Sequence, residues 1–500
     1  MSWLLTLPIM LPIAMAVVVF LLRDRGAAGR WLSLAGCVAS LGLAIALMVA
    51  VWEQGVLAAQ MGSWAAPFGI TLVADLLSAV MVLITAITGL AVALYALVDI
   101  DERRERLGYH ALFQVLLAGV CGAFLTGDLF NLYVWFEVML IASFGLLVLG
   151  GDKAQLDGGI KYVALNLVST VFFLMGIGLL YGMTGTLNLA DLHGAVKAVE
   201  NQGLVTVVAI LFIVAFGIKS AVFPLFFWLP ASYHTPPVAI SAVFAGLLTK
   251  VGVYSLIRMF TLVFTEDVPY THGLLLVIAA FTMVTGVLGA AAQNEFRKIL
   301  SFHIVSQIGY MVLGLALYTP LALVGAVFYL VHHLIVKANL FLISGVSQRL
   351  TGSFELSKIG GLYKASPLLA ILFLIPAFSL AGFPPLSGFW AKLLLIEASL
   401  EIEAYLIAGI ALLVGLLTVY SMTKIWAEVF WKPHPDGREP RLSLLTRRER
   451  WSLLAPVAAL AAMTVGIGLF PEPFVYFAER AAGQLLEPGA YLQAVLEPSP

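Results

Sequence analysis

The sequence predicts an all-α polytopic membrane protein of about fourteen transmembrane helices. Three observations carry this expectation. Hydrophobic residues make up 61% of the 500 and charged residues only 11%, where soluble chains hold roughly a quarter charged residues. Mean hydropathy is +1.02, and apolar runs of about 20 residues, each able to cross a hydrocarbon core of about 30 Å, recur along the whole length. The basic residues cluster in alternate breaks between those runs.

The runs can be taken in order. Residues 3–22 lack an early basic region and a small-residue cleavage site, and Arg23, Arg25 and Arg30 follow them, so they read as a retained helix rather than a signal peptide. The next spans are expected at 31–52, 70–98, 110–127 and 129–150, separated by polar or glycine-marked breaks. Spans six to nine fall at 160–182, 204–227, 238–262 and 272–292. Spans ten to fourteen fall at 300–318, 321–348, 367–396, 402–430 and 452–471, with a solvated basic loop at Lys432–Arg450 and a frayed tail from Pro471.

Charge tests the count. With the N-terminus outside, the cytoplasmic loops hold nineteen of the 27 basic residues and the outer loops and tail hold two, Lys197 and Arg480. That asymmetry follows the positive-inside rule, and one miscounted span would invert every later loop. Both termini are therefore expected outside. Balanced charge, 27 basic against 28 acidic, points away from nucleic acid. Cys37 and Cys121 lie inside apolar runs without metal-ligand spacing, and no iron–sulfur, haem or flavin motif is present, so neither cofactor nor metal is expected.

Six basic residues remain inside spans: Lys219, Lys250, Arg258, Lys337, Lys392 and Lys424. Arg258 and Lys424 lie near span ends, where a long side chain snorkels to the interface. Lys219 and Lys250 sit mid-span. A charge there costs several kcal/mol, roughly, so it is paired, hydrated or neutralised. One carboxylate lies similarly deep, Glu137, while Asp75 and Asp128 lie near outer ends and suit backbone or interface groups. One deep acid facing several deep bases leaves lysines without a fixed counter-charge, the condition under which a proton can be taken up and released. His332-His333-Leu-Ile-Val-Lys337 adds titratable groups, with His333 and Lys337 on one helix face. No carboxylate or third histidine is spaced to make a metal site of them. His234 and His303 fit relay, entry-path or loop-anchoring roles equally.

Two spans are interrupted near these groups: Phe216-Gly-Ile-Lys219-Ser-Ala-Val-Phe-Pro224, and Gly382-Phe-Pro384-Pro385-Leu-Ser-Gly388-Phe-Trp-Ala-Lys392. Proline removes a donor and clashes with the preceding turn, so the helix should unwind. Unwound backbone at membrane depth is tolerated where protein or a water-filled cavity covers it, and it marks ion sites in many transporters.

The stretches Gly127–Gly151, Lys219–Arg258 and His332–Gly345 together resemble the antiporter-like proton-channel family, which includes subunits of respiratory complex I and of Mrp-type cation/proton antiporters. The run Thr126–Ser143 and Gly182-Met-Thr-Gly-Thr-Leu-Asn188 look most like the Mrp branch. The resemblance covers roughly residues 70–430. It implies two inverted five-helix repeats with broken helices 7 and 12, and an organisation of 1–105 (three helices), 106–265 (helices 4–8), 266–432 (helices 9–13) and 433–500 (loop, helix 14 and tail). It implies that Glu137 pairs with Lys219, that Lys250 and the His332/His333/Lys337 segment relay protons, and that Lys392 ends the path; some complex I relatives carry glutamate at this last position. It further implies a prokaryotic plasma membrane location, partner subunits of a hetero-oligomeric antiporter, and H+ and Na+ as transported ions. Sodium needs several oxygen ligands, so its path is expected wholly or partly in partner subunits. The alternatives are a proton-pumping subunit of a quinone oxidoreductase or membrane hydrogenase, and a subunit whose buried charges only hold an assembly together.

Overall fold

The computed structural model describes residues 2–25, 27–437, 440, 442 and 445–497. The chain begins with α1 (Trp3–Leu21) and α2 (Ala27–Gln54), then a short antiparallel hairpin of β1 (Leu57–Gln60) and β2 (Thr71–Ala74). Eight helices follow: α3 (Leu76–Asp99), α4 (Tyr109–Leu125), α5 (Leu129–Val148), α6 (Lys153–Thr184), α7 (Gln202–Ser220), α8 (Val238–Leu262), α9 (Val268–Ala292) and α10 (Phe296–Leu317). The rest comprises α11 (Pro320–Thr351), the two halves α12a (Pro367–Ala381) and α12b (Ser387–Glu401), α13 (Tyr405–Trp431) and α14 (Arg447–Leu469). Among the described residues, twelve helices are long and apolar enough to cross a membrane. The remaining two of the fourteen expected spans correspond to α4, with 17 residues, and to the interrupted α12.

Burial separates an inner set from an outer one. α3, α8, α10 and α11 are almost wholly enclosed by protein, whereas α1, α2, α6, α9 and α13 present apolar side chains outward. A helix hydrophobic all round with one face exposed is what a lipid solvent requires.

Two five-helix units, α4–α8 and α9–α13, share local devices. The second helix of each starts on an acidic N-cap: Asp128 accepts from Asn131 N, and Glu295 from Arg297 N and Lys298 N. Each cap residue forms an antiparallel bridge to the segment after the third helix, Asp128 to Asn188 and Glu295 to Glu355. The fourth helix of each unit is the interrupted one. Because five is odd, successive crossings make equivalent helices of the two units run in opposite directions.

The structure departs from the sequence reading in four places. The third helix starts at Leu76 rather than 70, because Thr71–Ala74 is a strand and Asp75 caps the helix by accepting from Ser78 N. The seventh ends at Ser220 rather than 227: Ala221 turns left-handed (φ 60°), and the Trp228 indole N–H donates to the Ile218 carbonyl at 3.0 Å. The tail is not frayed. It forms α15 (Glu472–Leu486) and α16 (Gly489–Leu496), with Ala478, Ala481, Ala482 and Leu485 buried at helical spacing and Gln484 accepting from Leu76 N at 2.9 Å. Finally, Arg258 does not snorkel. It is 4% exposed and pairs with Asp75 at 2.6 Å.

Candidate functional site

The interruption of α7 leaves Lys219 one residue from the end of its helix. The ammonium lies 5.6 Å from the centroid of the Phe136 ring, on α5. Beside it, Tyr162, Asn166, Trp228 and Leu248 help enclose a cavity of about 20 Å³, above the roughly 10–15 Å³ that one water needs. Glu137, also on α5 and half-buried, accepts a 2.6 Å hydrogen bond from the Thr170 hydroxyl of α6. The expected Glu137–Lys219 contact is not formed: the carboxylate holds a hydroxyl, and no ion pair within 4 Å involves either residue among those described.

α7 and α8 meet at Gly252, where a Cβ would come within 2.5 Å of Ser220 Oγ and 2.8 Å of Ser220 N. Only glycine permits that approach, which sets the α8 face bearing Lys250 against the α7 break. Lys250 is fully buried and donates to the Ala245 carbonyl, which lies in a π-helical turn spanning Phe244–Leu248. Such a turn displaces a carbonyl from the ordinary i→i−4 ladder, and the lysine reaches back five residues to meet it.

α11 runs beside this turn and is buried almost throughout. Lys337 donates to the Leu300 carbonyl of α10 at 3.3 Å. His333, one turn away, has no hydrogen-bond partner on either ring nitrogen. His332 Nδ1 is joined to the Ser387 hydroxyl at 2.8 Å. Ser387 opens α12b and lies 3.1 Å from Ser379 Oγ in α12a, which accepts from Gly388 N at 3.0 Å. Pro384 and Pro385 unwind the chain between the halves as expected, with Gly382 at φ 97° ending α12a. Lys392 bridges that break: it donates to the Ala381 carbonyl, the last of α12a, at 3.0 Å. A cation at a helix C-terminus is favoured by the carbonyls gathered there. The ammonium also lies 4.9 Å from the Tyr310 ring centroid.

Polar groups without a protein partner run through the same core. Among the described residues these include Ser220 Oγ, Thr249 Oγ1, Thr88 Oγ1, both side-chain atoms of Asn339, both ring nitrogens of His303, His332 Nε2 and Gln307 Nε2. Buried polar atoms are nearly always hydrogen-bonded, to water where protein offers nothing. They occur on α3, α7, α8, α10 and α11, the helices between Lys219 and Lys392. Such an arrangement provides titratable groups, unpaired lysines and water-binding positions inside a bundle.

The pattern described as "NADH:quinone oxidoreductase/Mrp antiporter, TM" matches residues 126–418, more than half of the chain. The chain belongs to this family. It is 46% identical over 497 residues to the D-type subunit of the Na(+)/H(+) antiporter of Alkalihalophilus pseudofirmus, an alignment covering 99% of this chain and 100% of the relative. Its fold is similar to a chain in the Mrp complex of Dietzia sp. DQ12-45-1b, with a TM-score of 0.92, 35% identity and coverage of 99% and 100%. A chain of respiratory complex I from Thermus thermophilus is similar at a TM-score of 0.81, with 26% identity and coverage of 96% and 99%.

All seven residues singled out from the sequence fall inside the family match. Lys250, Lys337, His332 and His333 come together on α8 and α11; His332 reaches the α12 break through Ser387, and Lys392 lies on the same break, bonded to the Ala381 carbonyl. Glu137 and Lys219 share one end, out of contact. Sequence reasoning missed Thr170, Ser379, Ser387, Tyr310 and Asn339. Hydroxyls and amides are common in spans, and only tertiary structure shows which are enclosed beside a charge. His303, left open between roles, lies fully buried on α10. His234 lies outside the spans, with Nδ1 2.8 Å from the Pro230 carbonyl. Burial first, and then the Lys298 charge, push it down to about 4, so it is neutral near pH 7 and anchors the turn. Lys424, half-buried, donates to the Ala291 and Gln293 carbonyls at the end of α9.

Proposed function

We propose that this chain is the D-type, proton-carrying subunit of a multisubunit Na+/H+ antiporter in a prokaryotic plasma membrane. The observation that carries the reading is the row of enclosed bases, Lys219, Lys250, His333, Lys337, His332 and Lys392, interleaved with unpartnered polar atoms. Identity of 46% to an antiporter subunit, against 26% to the complex I chain, favours this over a redox-driven pump. Fourteen spans with both termini outside are part of the same reading, since the nineteen-to-two loop asymmetry depends on that count.

Protons enter at one half, move between lysines and histidines through intervening water, and leave from the other half. Glu137 and Lys219 form the gate. With Glu137 held by Thr170 the pair is apart, the lysine's charge is less favoured, and its proton is released toward Lys250. Contact restores the charge: at an effective dielectric of about 20, a pair at contact distance is worth around 4 kcal/mol. The chain carries the protons, and the sodium path lies wholly or partly in partner subunits. Glu137→Ala and Lys219→Ala should each abolish Na+/H+ exchange in everted vesicles while the complex still assembles. Exchange at the normal rate in either variant would sink the gate, and sodium transport by this purified chain alone in liposomes would contradict the division of labour.

A further inference from the structure

α11 is enclosed from Ala322 to Ser347 except at one residue, Val331. Val331 faces a cavity of about 290 Å³ between α2, α3, α11, α14 and α15. Among the described residues no charged side chain lines it; Met48 and Trp52 of α2, Ile87 of α3, Ile335 of α11 and Phe474 of α15 are among its walls. A dry cavity of about 150 Å³ already takes benzene, and this one is about twice that size. It therefore suits an apolar guest rather than water.

Its shape and depth narrow the guest. Trp52 lies near the C-terminal end of α2 and Phe474 near the start of α15, so the cavity reaches the end of the bundle where the chain tail docks. Along α11 the lining runs from Val327 to Ile335, a rise of about 12 Å, close to one leaflet of a hydrocarbon core of about 30 Å. At that end the Arg480 guanidinium lies 4.0 Å from the ring centroid of the lining residue Trp52 and donates to the Trp52 carbonyl at 3.4 Å. Among the described residues it has no carboxylate within 4 Å, which leaves donors of its planar fork for a phosphate. The exposed carboxylates of Glu53 and Glu479 are adjacent in sequence, which disfavours a multiply charged headgroup.

We infer that this cavity is a phospholipid site, with one acyl chain inserted between α3 and α11 and the phosphate held by Arg480. The guest packs against Val331 and Ile335, on the side of α11 turned away from His333 and Lys337. This is independent of what the chain transports. The test uses the assembled complex reconstituted in phosphatidylcholine vesicles doped with phosphatidylcholine carrying a diazirine at the end of one acyl chain. After irradiation, adducts are mapped by peptide mass spectrometry.

Adducts should be enriched several-fold on peptides containing Met48, Ile87 and Val331 over the outward-facing Leu412–Leu416 stretch of α13. Filling the cavity by Ile87→Trp should reduce them about tenfold while α13 labelling is unchanged. Arg480→Gln, which leaves the cavity open, should reduce them several-fold. Enrichment no greater than on α13 overturns the site, whether the cavity is empty or filled by a partner helix. Labelling that survives Ile87→Trp overturns the acyl-chain placement, and labelling indifferent to Arg480→Gln overturns the phosphate contact.

Discussion

Removing the charge of Asp75 isolates a buried ion pair from the transport machinery. Asp75 is 1% exposed and Arg258 4%, and they meet at 2.6 Å. Asp75 also accepts from Ser78 N and Oγ, both at 2.8 Å, to cap α3. Asparagine at 75 keeps one acceptor for that cap and deletes only the charge, so the whole effect falls on Arg258. An uncompensated buried charge costs about 3–5 kcal/mol. At 1.36 kcal/mol per decade that is roughly a 10²- to 5 × 10³-fold rise in local opening. Hydrogen–deuterium exchange on the assembled complex reads this directly in peptides covering 71–82 and 250–262. Asp75→Asn should accelerate exchange there by that factor, while Asp75→Asn/Arg258→Met, which removes both charges, should return it to within about tenfold of the parent. Equal acceleration in the single and double variants would refute the reasoning, because the cost would then not lie in an unpaired arginine.

Ser387→Ala removes the hydroxyl between His332 and Ser379. Losing one buried partner costs about 1–3 kcal/mol, so proton-linked exchange in everted vesicles should fall roughly 5- to 100-fold, with Ser387→Thr retaining more activity than alanine. Gly252→Val places a side chain against the Ser220 backbone and must push α7 from α8; transport should be lost although α1–α4 exchange hydrogen normally. Near the start of α4, Glu105 binds Arg30 at 2.9 Å and His110 at 3.2 Å. Burial pushes its carboxyl up, but the His110 and Arg30 interactions outweigh this and hold it below its ordinary 4.5. A depressed folded-state value means the stabilisation is full above about pH 4.5 and is lost as pH falls through the lower folded value. Exchange of peptides covering 102–110 should therefore rise below pH 4.5, and Glu105→Gln should flatten that dependence.

The apolar runs made most of the helices legible, and Pro384-Pro385 between glycines marked the α12 break because backbone chemistry there is local. The end of α7 was not legible. It depends on Ala221 adopting a left-handed turn and on an indole ten residues ahead capturing the Ile218 carbonyl. The strand Thr71–Ala74 reads as the start of a helix because three consecutive apolar residues fit either period, although Asp75 followed by Leu76 was a readable cap. The tail's buried face at 478, 481, 482 and 485 was also readable as amphipathic spacing. At the site, lysines and histidines stand out because charge is rare in lipid. Arg258 was misread because its partner lies far away in sequence, and Thr170 and Ser387 are ordinary residues whose neighbours alone make them significant.

The π turn at Phe244–Leu248 ties two distant features together. Such a turn is one residue longer than the α-helical path it replaces, and each residue rotates the remainder of the helix by about 100°. Lys250 and Arg258 both lie beyond it. Deleting one residue inside the turn would swing Lys250 away from α11 and Arg258 away from Asp75 in the same motion. One inserted residue thus acts as a common register key, aligning a buried lysine in the middle of the bundle with a structural clasp at its end, so neither can be re-aimed without the other.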